Sequence, residues 1–292
     1  MSERSRLREE AFRSAYPGCL WSAVRGSYSI EGCVGACTAT NQFEYTFTGN
    51  IRQAATISAG GVVPAAGTPG PLAPGSYFSI YGTDLADSTA VTSTARLPVV
   101  IDRATVSFDV PSAGISVPAR LVFVSSGQIN AQVPWELAGQ KSAQVKVIVN
   151  GVPGNVVTVP LTDAAPAFFE NPIGSGVVAA VDPLNFFSPI ITARDPAARG
   201  SVISLYANGL GAVNNPPASG EAASLTVLSS TLATPVVTIG GQNAPVLFSG
   251  LTPGLPGLYQ INVTVPGGIG TGSQPVTLTL GGVTAKGSIP LR

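Results

Sequence analysis

PGSYFSIYGTDLA, from Pro74 to Ala86, and RGSVISLYANGLG, from Arg199 to Gly211, share one pattern, G-S-x-x-S-aliphatic-Tyr-x-x-x-Leu. Two further blocks recur in the same order. GQINAQVPWE (Gly127 to Glu136) matches YQINVTVPGG (Tyr259 to Gly268), and QVKVIVNGVPGNVVTVPL (Gln144 to Leu161) matches PVTLTLGGVTAKGSIPL (Pro275 to Leu291). The offsets are 125 from Gly75 to Gly200, 132 from Gln128 to Gln260 and 131 from Gly151 to Gly282. Two homologous modules that differ by a loop insertion account for this.

Within the blocks the period is two, as a strand with one buried face requires. Ile129, Ala131 and Val133 point one way, and Gln128, Asn130 and Gln132 the other. In the second copy Tyr259, Ile261, Val263 and Val265 alternate with Gln260, Asn262 and Thr264. Asn150-Gly151 and Gly281-Gly282 each sit between two such runs, as hairpin turns do. The expected fold is all-β: two tandem immunoglobulin-like β-sandwich modules after a short N-terminal β segment. Strands are expected at Tyr77 to Tyr81, Ile129 to Val133, Gln144 to Val149, Val202 to Tyr206, Ile261 to Val265 and Val276 to Leu280. The boundaries expected are 1–59 for the N-terminal segment, 60–161 for the first module and 162–292 for the second. Gly60 to Gly75, dense in Gly and Pro, reads as a linker or an irregular lead-in.

Composition agrees with many short strands and tight turns: 34 Gly and 25 Pro against only 10% charged residues. Lys plus Arg equals Asp plus Glu at 15 each, so no net field draws the chain to nucleic acid. No apolar run approaches the roughly 18–20 residues that span a bilayer as a helix. The chain contains no histidine, which excludes Ser-His-Asp, Cys-His and His-metal chemistry. A Ser-Lys pair or two carboxylates could still act, but the few acidic residues show no clustering in sequence. The expectation is a protein without catalytic residues, cofactor or metal.

All three cysteines, Cys19, Cys33 and Cys37, fall in the first 40 residues. A disulfide from Cys19 to Cys33 or Cys37 and ordinary unpaired thiols are both compatible with that placement. Residues 1 to about 18 read as a short polar helix, followed by strand-like runs CLWSAV and QFEYTFTG. Met1 to Tyr16 has charges throughout and no apolar core, so no signal peptide begins this chain. Either the protein is cytoplasmic or the chain is part of a longer secreted polypeptide.

The motifs GGVVPAAG, PGSYFSIYGTDLA, SSGQINAQVPWE, VNGVPGNVVTVPL, AAPAFF, GSVISLYANGLG and GLYQINVTVP resemble the Solibacter-type uncharacterised C-terminal domain family of secreted Acidobacteria proteins, from about Ile57 to Arg292. Each module's opening also resembles the IPT/TIG immunoglobulin-like domain, from whose pattern the second copy departs at Arg199 and Ala207. CLWSAV and FEYTFTGNIRQAATISAG resemble the tail of a BACON-type domain. These resemblances imply sandwich folds and a secreted or cell-surface setting, and supply no activity to carry over.

The ligand-binding candidates are Gln128, Asn130, Gln260 and Asn262, whose amides offer donors and acceptors to sugar hydroxyls or peptide backbone, and Trp135, whose indole could stack on a sugar ring. The alternative role for the four amides is to tie neighbouring loops down, and their recurrence in both copies favours it. For Trp135 the alternative is burial against the adjoining segment. Tyr81 and Tyr206 read as core anchors with bonded hydroxyls, and Asp84, Asp87 and Asp102 as scattered surface acids rather than a calcium loop. Phe168, Phe169, Phe186 and Phe187, in the apolar connection from Ala164 to Pro189, are expected to insert between the modules and hold them rigid. Three functions follow: an adhesive or spacer interaction module meeting a protein or glycan surface, a carbohydrate-binding accessory module, or a hydrolase using carboxylates.

Overall fold

The computed structural model describes residues 53–292 except 93, 95 and 186, together with the backbone of three earlier strands. The expected N-terminal helix and the cysteine side chains lie outside the described residues. In the first compact unit, Met1–Gln53, β1 (Leu20–Val24), β2 (Ser27–Cys33) and β3 (Gln42–Thr48) form an antiparallel sheet in that order. β1 and β3 fall on the two runs expected to be strands.

The second unit, Ala54–Arg292, holds both repeat copies. The first copy contributes β4 (Thr56–Pro64), β5 (Tyr77–Thr83), β6 (Ala90–Val91), β7 (Ala104–Val110), β8 (Ile115–Pro118), β9 (Arg120–Val124), β10 (Gln128–Gln132), β11 (Ser142–Val149) and β12 (Val152–Pro160). One sheet runs β4-β5-β10-β9-β6 and the other β12-β11-β7-β8. The second copy contributes β13 (Ala167–Phe168), β14 (Ala180–Val181), β15 (Val202–Asn208), β16 (Val236–Ile239), β17 (Gln242–Asn243), β18 (Val246–Leu251), β19 (Tyr259–Thr264), β20 (Gly272–Leu280) and β21 (Val283–Leu291). Its sheets run β13-β15-β19-β18, with β14 also on β15, and β17-β16-β20-β21. Every named pairing is antiparallel, and all six expected strands are present.

Alternation sets the two faces. In β7 every second residue from Ala104 to Val110 is buried, because the side chains of a strand leave its two sides in turn. The first core packs Phe78 and Ile80 of β5, Ile129 and Ala131 of β10, and Val145 and Val147 of β11 around Phe108 of β7. Phe78 and Phe108 meet edge to face with centroids 5.3 Å apart, the geometry ring quadrupoles favour. The second core repeats the scheme with Ile203, Leu205, Tyr259, Ile261, Val276 and Leu278. Ile129 and Ile261 are both fully buried, as expected. Each copy closes its β11–β12 or β20–β21 hairpin with two residues at positive φ, Asn150 (53°) and Gly151 (76°), or Gly281 (57°) and Gly282 (82°). That is what a twisted two-residue hairpin demands.

The lead-in to the first module is more regular than its Gly and Pro content suggests. β4 runs through Gly60 and Gly61, its pairing with β5 shifting register between Ile57 and Val62, and Ala55 and Ile57 are already part of the first core. A bulge absorbs the glycines.

Candidate functional site

The G-S-x-x-S and Q-I-N motifs meet across strands. Asn130 of β10 lies opposite Ser79 of β5, and Asn262 of β19 opposite Ser204 of β15. Asn130 Oδ1 accepts from Ser79 Oγ (2.9 Å) and from Gln128 Nε2 (2.7 Å). Asn262 Oδ1 accepts from Ser204 Oγ (2.9 Å) and Gln260 Nε2 (2.8 Å). The amides therefore bond to each other and to the neighbouring strand's serine, not to loops as expected. Both triads lie on outer sheet faces.

The first triad opens into a cleft. A hollow of about 690 Å³ is lined by Gln128 and Asn130 with Tyr77, Ser79 and Tyr81 on one side, and by Phe169, Glu170 and Leu258 of the second copy on the other. Among the described residues, Gln128 Oε1 and Asn130 Nδ2 have no protein partner. Glu170 Oε2 accepts the Gly176 N–H at 3.1 Å, which fixes its carboxylate at the rim.

Tyr81 and Tyr206 are not core anchors. Ile80 and Leu205 hold the inward positions, so alternation turns the tyrosines out, and Tyr81 is 45% exposed. The tyrosine that anchors a core is Tyr259, whose hydroxyl donates to the Gly211 carbonyl and whose ionisation burial pushes upward.

The cleft exists because the two sandwiches are bound to each other. Tyr77 N–H donates to Asn208 Oδ1 (2.8 Å), Asn208 Nδ2 donates to the Tyr77 carbonyl (2.9 Å), and the Tyr77 hydroxyl donates to the Pro256 carbonyl. Burial pushes that phenol up to about 12. Gln132, wholly buried, donates to the Gly75 carbonyl (3.1 Å) and accepts from Gly220 N–H (2.8 Å). The Trp135 backbone N–H donates to Ser219 Oγ (2.9 Å), and Ser219 Oγ donates to Glu136 Oε2 (2.6 Å). The indole lies on Gly75, where a Cβ would stand 2.1 Å from the nearest ring carbon, and it packs against the second core.

The structure thus brings Gln128 and Asn130 together in the cleft, leaves Gln260 and Asn262 on the other sandwich, and puts Trp135 at the junction. The phenylalanines divide differently from the expectation of a joint insert. Phe168 is in the second core, Phe169 lines the cleft, Phe187 is fully exposed, and Phe186 lies outside the described residues. Asp182 and Asn185 close a turn ahead of Phe187, the Asn185 N–H donating to the Asp182 carbonyl (3.1 Å). Asp102 accepts Ser88 N–H and Asp87 accepts from Asn150, and no group of three or more metal-ligating side chains occurs among the described residues.

Sequence reasoning missed Ser79, Tyr77 and Glu170 as site residues. Ser79 was marked by the shared motif and by its parity with Tyr81. Glu170 carries no local signal, since the connection brings it in from outside the repeat.

No protein-family model and no curated protein matches the sequence. Among solved structures the chain is similar to SGBP-B of the Bacteroides ovatus mixed-linkage glucan utilization locus, solved with a mixed-linkage heptasaccharide: 13% identity over 93% of this chain and 54% of that one, TM-score 0.32. It is also similar to SGBP-B from a complex xyloglucan utilization locus of Bacteroides uniformis (13%, 82% and 49%, TM-score 0.23). A third is surface layer protein SbsC, domains 4-9 (15%, 92% and 35%, TM-score 0.23). The chain spans about half the length of the first two and about a third of the last. At these scores nothing about ligand or role transfers to this chain.

Proposed function

We propose that this chain is a non-catalytic glycan-binding module of a cell-surface or secreted protein, and that the glycan lies in the cleft between its two sandwiches. The observation that carries this is the cleft's lining: aromatic rings of Tyr77, Tyr81 and Phe169 beside Gln128 Oε1 and Asn130 Nδ2, the amide atoms that the triad leaves unbonded. A pyranose offers an apolar C–H face to a ring and paired hydroxyls to an amide, and the lining offers both partners. A volume of about 690 Å³ falls in the range, roughly 300–1,000 Å³, of small-molecule sites. Glu170 is the one carboxylate in the lining, so the pair that glycoside hydrolysis uses is not assembled in this cleft. The resemblance to the Solibacter-type domains supports an extracytoplasmic setting.

The test is a glycan array probed with the full chain, followed by titration of the best binder. Binding to a narrow set of glycans is expected, weakened roughly tenfold or more in Tyr81→Ala and Phe169→Ala. Absence of any bound glycan, or variants that bind like the parent, would overturn the proposal.

A second reading, a stiff spacer or adhesive module, is favoured by the junction itself. Gln132, Tyr77, Asn208 and Ser219 bond across it, and a pre-ordered tandem loses little freedom on meeting a partner. Small-angle scattering that fits one rigid body supports this reading, and a distribution of reorienting bodies removes it.

A further inference from the structure

The cleft does not end at Glu170. A second hollow of about 600 Å³ lies beyond it, lined by Thr68, Pro69, Thr162, Pro166, Thr284 and Lys286 among others. Ala66, Gly67, Phe168 and Glu170 line both hollows. Gly67, at φ 83°, sits so close to β13 that a Cβ there would stand 2.8 Å from the Ala167 methyl, and Phe168 is sunk into the second core. Small residues, Ala66 and Gly67, stand where the two hollows adjoin, and Glu170 is the polar group that lines both.

We infer that the two hollows are consecutive subsites of one groove, and that the ligand is a linear oligosaccharide long enough to cross from one to the other at Gly67 and uncharged where it passes Glu170. This rests on the glycan reading above. Each hollow alone is within the roughly 300–1,000 Å³ of an ordinary small-ligand site, so a short saccharide fills one and leaves the other to solvent. In the first hollow the aromatic rings and the amides hold the chain. At the crossing the Glu170 carboxylate, with Oε2 already accepting Gly176 N–H, accepts sugar hydroxyls and repels uronates. In the second hollow the Thr68 and Thr284 hydroxyls and the Lys286 ammonium meet the continuing chain. A linked ligand occupying both subsites gains affinity over either part, because the second contact is made within one molecule.

The experiment titrates the full chain with size ladders, from disaccharide to octasaccharide, of linear β-glucans, xylans, mannans and chitin. In the best-bound series, affinity is expected to go on rising by roughly tenfold after the first hollow is filled. Thr284→Trp, an exposed hairpin position, should remove that rise, so that the octasaccharide binds no more tightly than the disaccharide. Tyr81→Ala should weaken every length. A disaccharide that binds as tightly as the octasaccharide, or long-chain affinity that survives Thr284→Trp, overturns the two-subsite groove and leaves the glycan reading standing. If no series binds, both fall together.

Discussion

Ser79, Gln128 and Asn130 of the first sandwich have the same residues opposite them in the repeat, Ser204, Gln260 and Asn262, with matching bonds. Tyr77, Gln132 and Trp135 do not: the second copy has Val202, Thr264 and Gly267 there, and Asn208 replaces Thr83. Each of these unmatched residues reaches the other sandwich. What the copies share holds each sandwich's outer face in register, and what they do not share joins the sandwiches. An isologous pair uses one patch twice, whereas this tandem joins unlike faces and needs them to diverge.

The largest effect is expected at Gln132. Gln132→Leu leaves the Gly220 N–H and the Gly75 carbonyl buried without partners, at about 1–3 kcal/mol each. Thr264→Val, at the equivalent position, should change stability by under about 1 kcal/mol. Urea unfolding measures both, and equal losses would break the distinction between the copies.

Alkaline titration probes the junction next. Tyr77 is pushed up to about 12 by burial, while the unfolded phenol ionises near its ordinary value of about 10. Below that value both states are protonated and the stabilisation is intact. As pH rises from about 10 towards 12 the unfolded chain loses its proton first, and stability falls by at most about 1.4 kcal/mol per pH unit for this group. Tyr259, also shifted upward by burial, adds to the slope. Tyr77→Phe should shallow the fall without abolishing it, and a slope unchanged from the parent would contradict the burial of that phenol.

Gly75 and Gly200 provide a closely matched pair. Both have positive φ, 77° and 84°, but only Gly75 lies under the indole. Alanine at either adds roughly 1–2 kcal/mol of backbone strain. Gly75→Ala should exceed Gly200→Ala by a further ~1–3 kcal/mol, because the ring has to move. Equal melting temperatures would remove Trp135 from the junction.

Alternation and repeat carried the sequence reading a long way. Ile129 against Gln128 and Asn130 placed a core face and an outer face, and the NG and GG pairs placed two hairpins. Tyr81 was misread because residue type was weighed above its parity with Ile80. The cleft was not legible, since it joins β5 and β10 to Phe169 and Glu170 of the connection, and no local pattern states which segment meets an outer face. Phe187 shows the converse. An aromatic in an apolar connection can end wholly exposed.

The central claim is that one of two like triads faces a ligand. With the array's best glycan as probe, titration of Gln128→Ala/Asn130→Ala and of Gln260→Ala/Asn262→Ala tests it most directly. The two double variants should lose similar stability, about 1–3 kcal/mol, since each loses the same bonds. Binding should fall by roughly tenfold or more in the first and stay at the parent's level in the second. Equal weakening in both, or loss only in the second, would contradict the account.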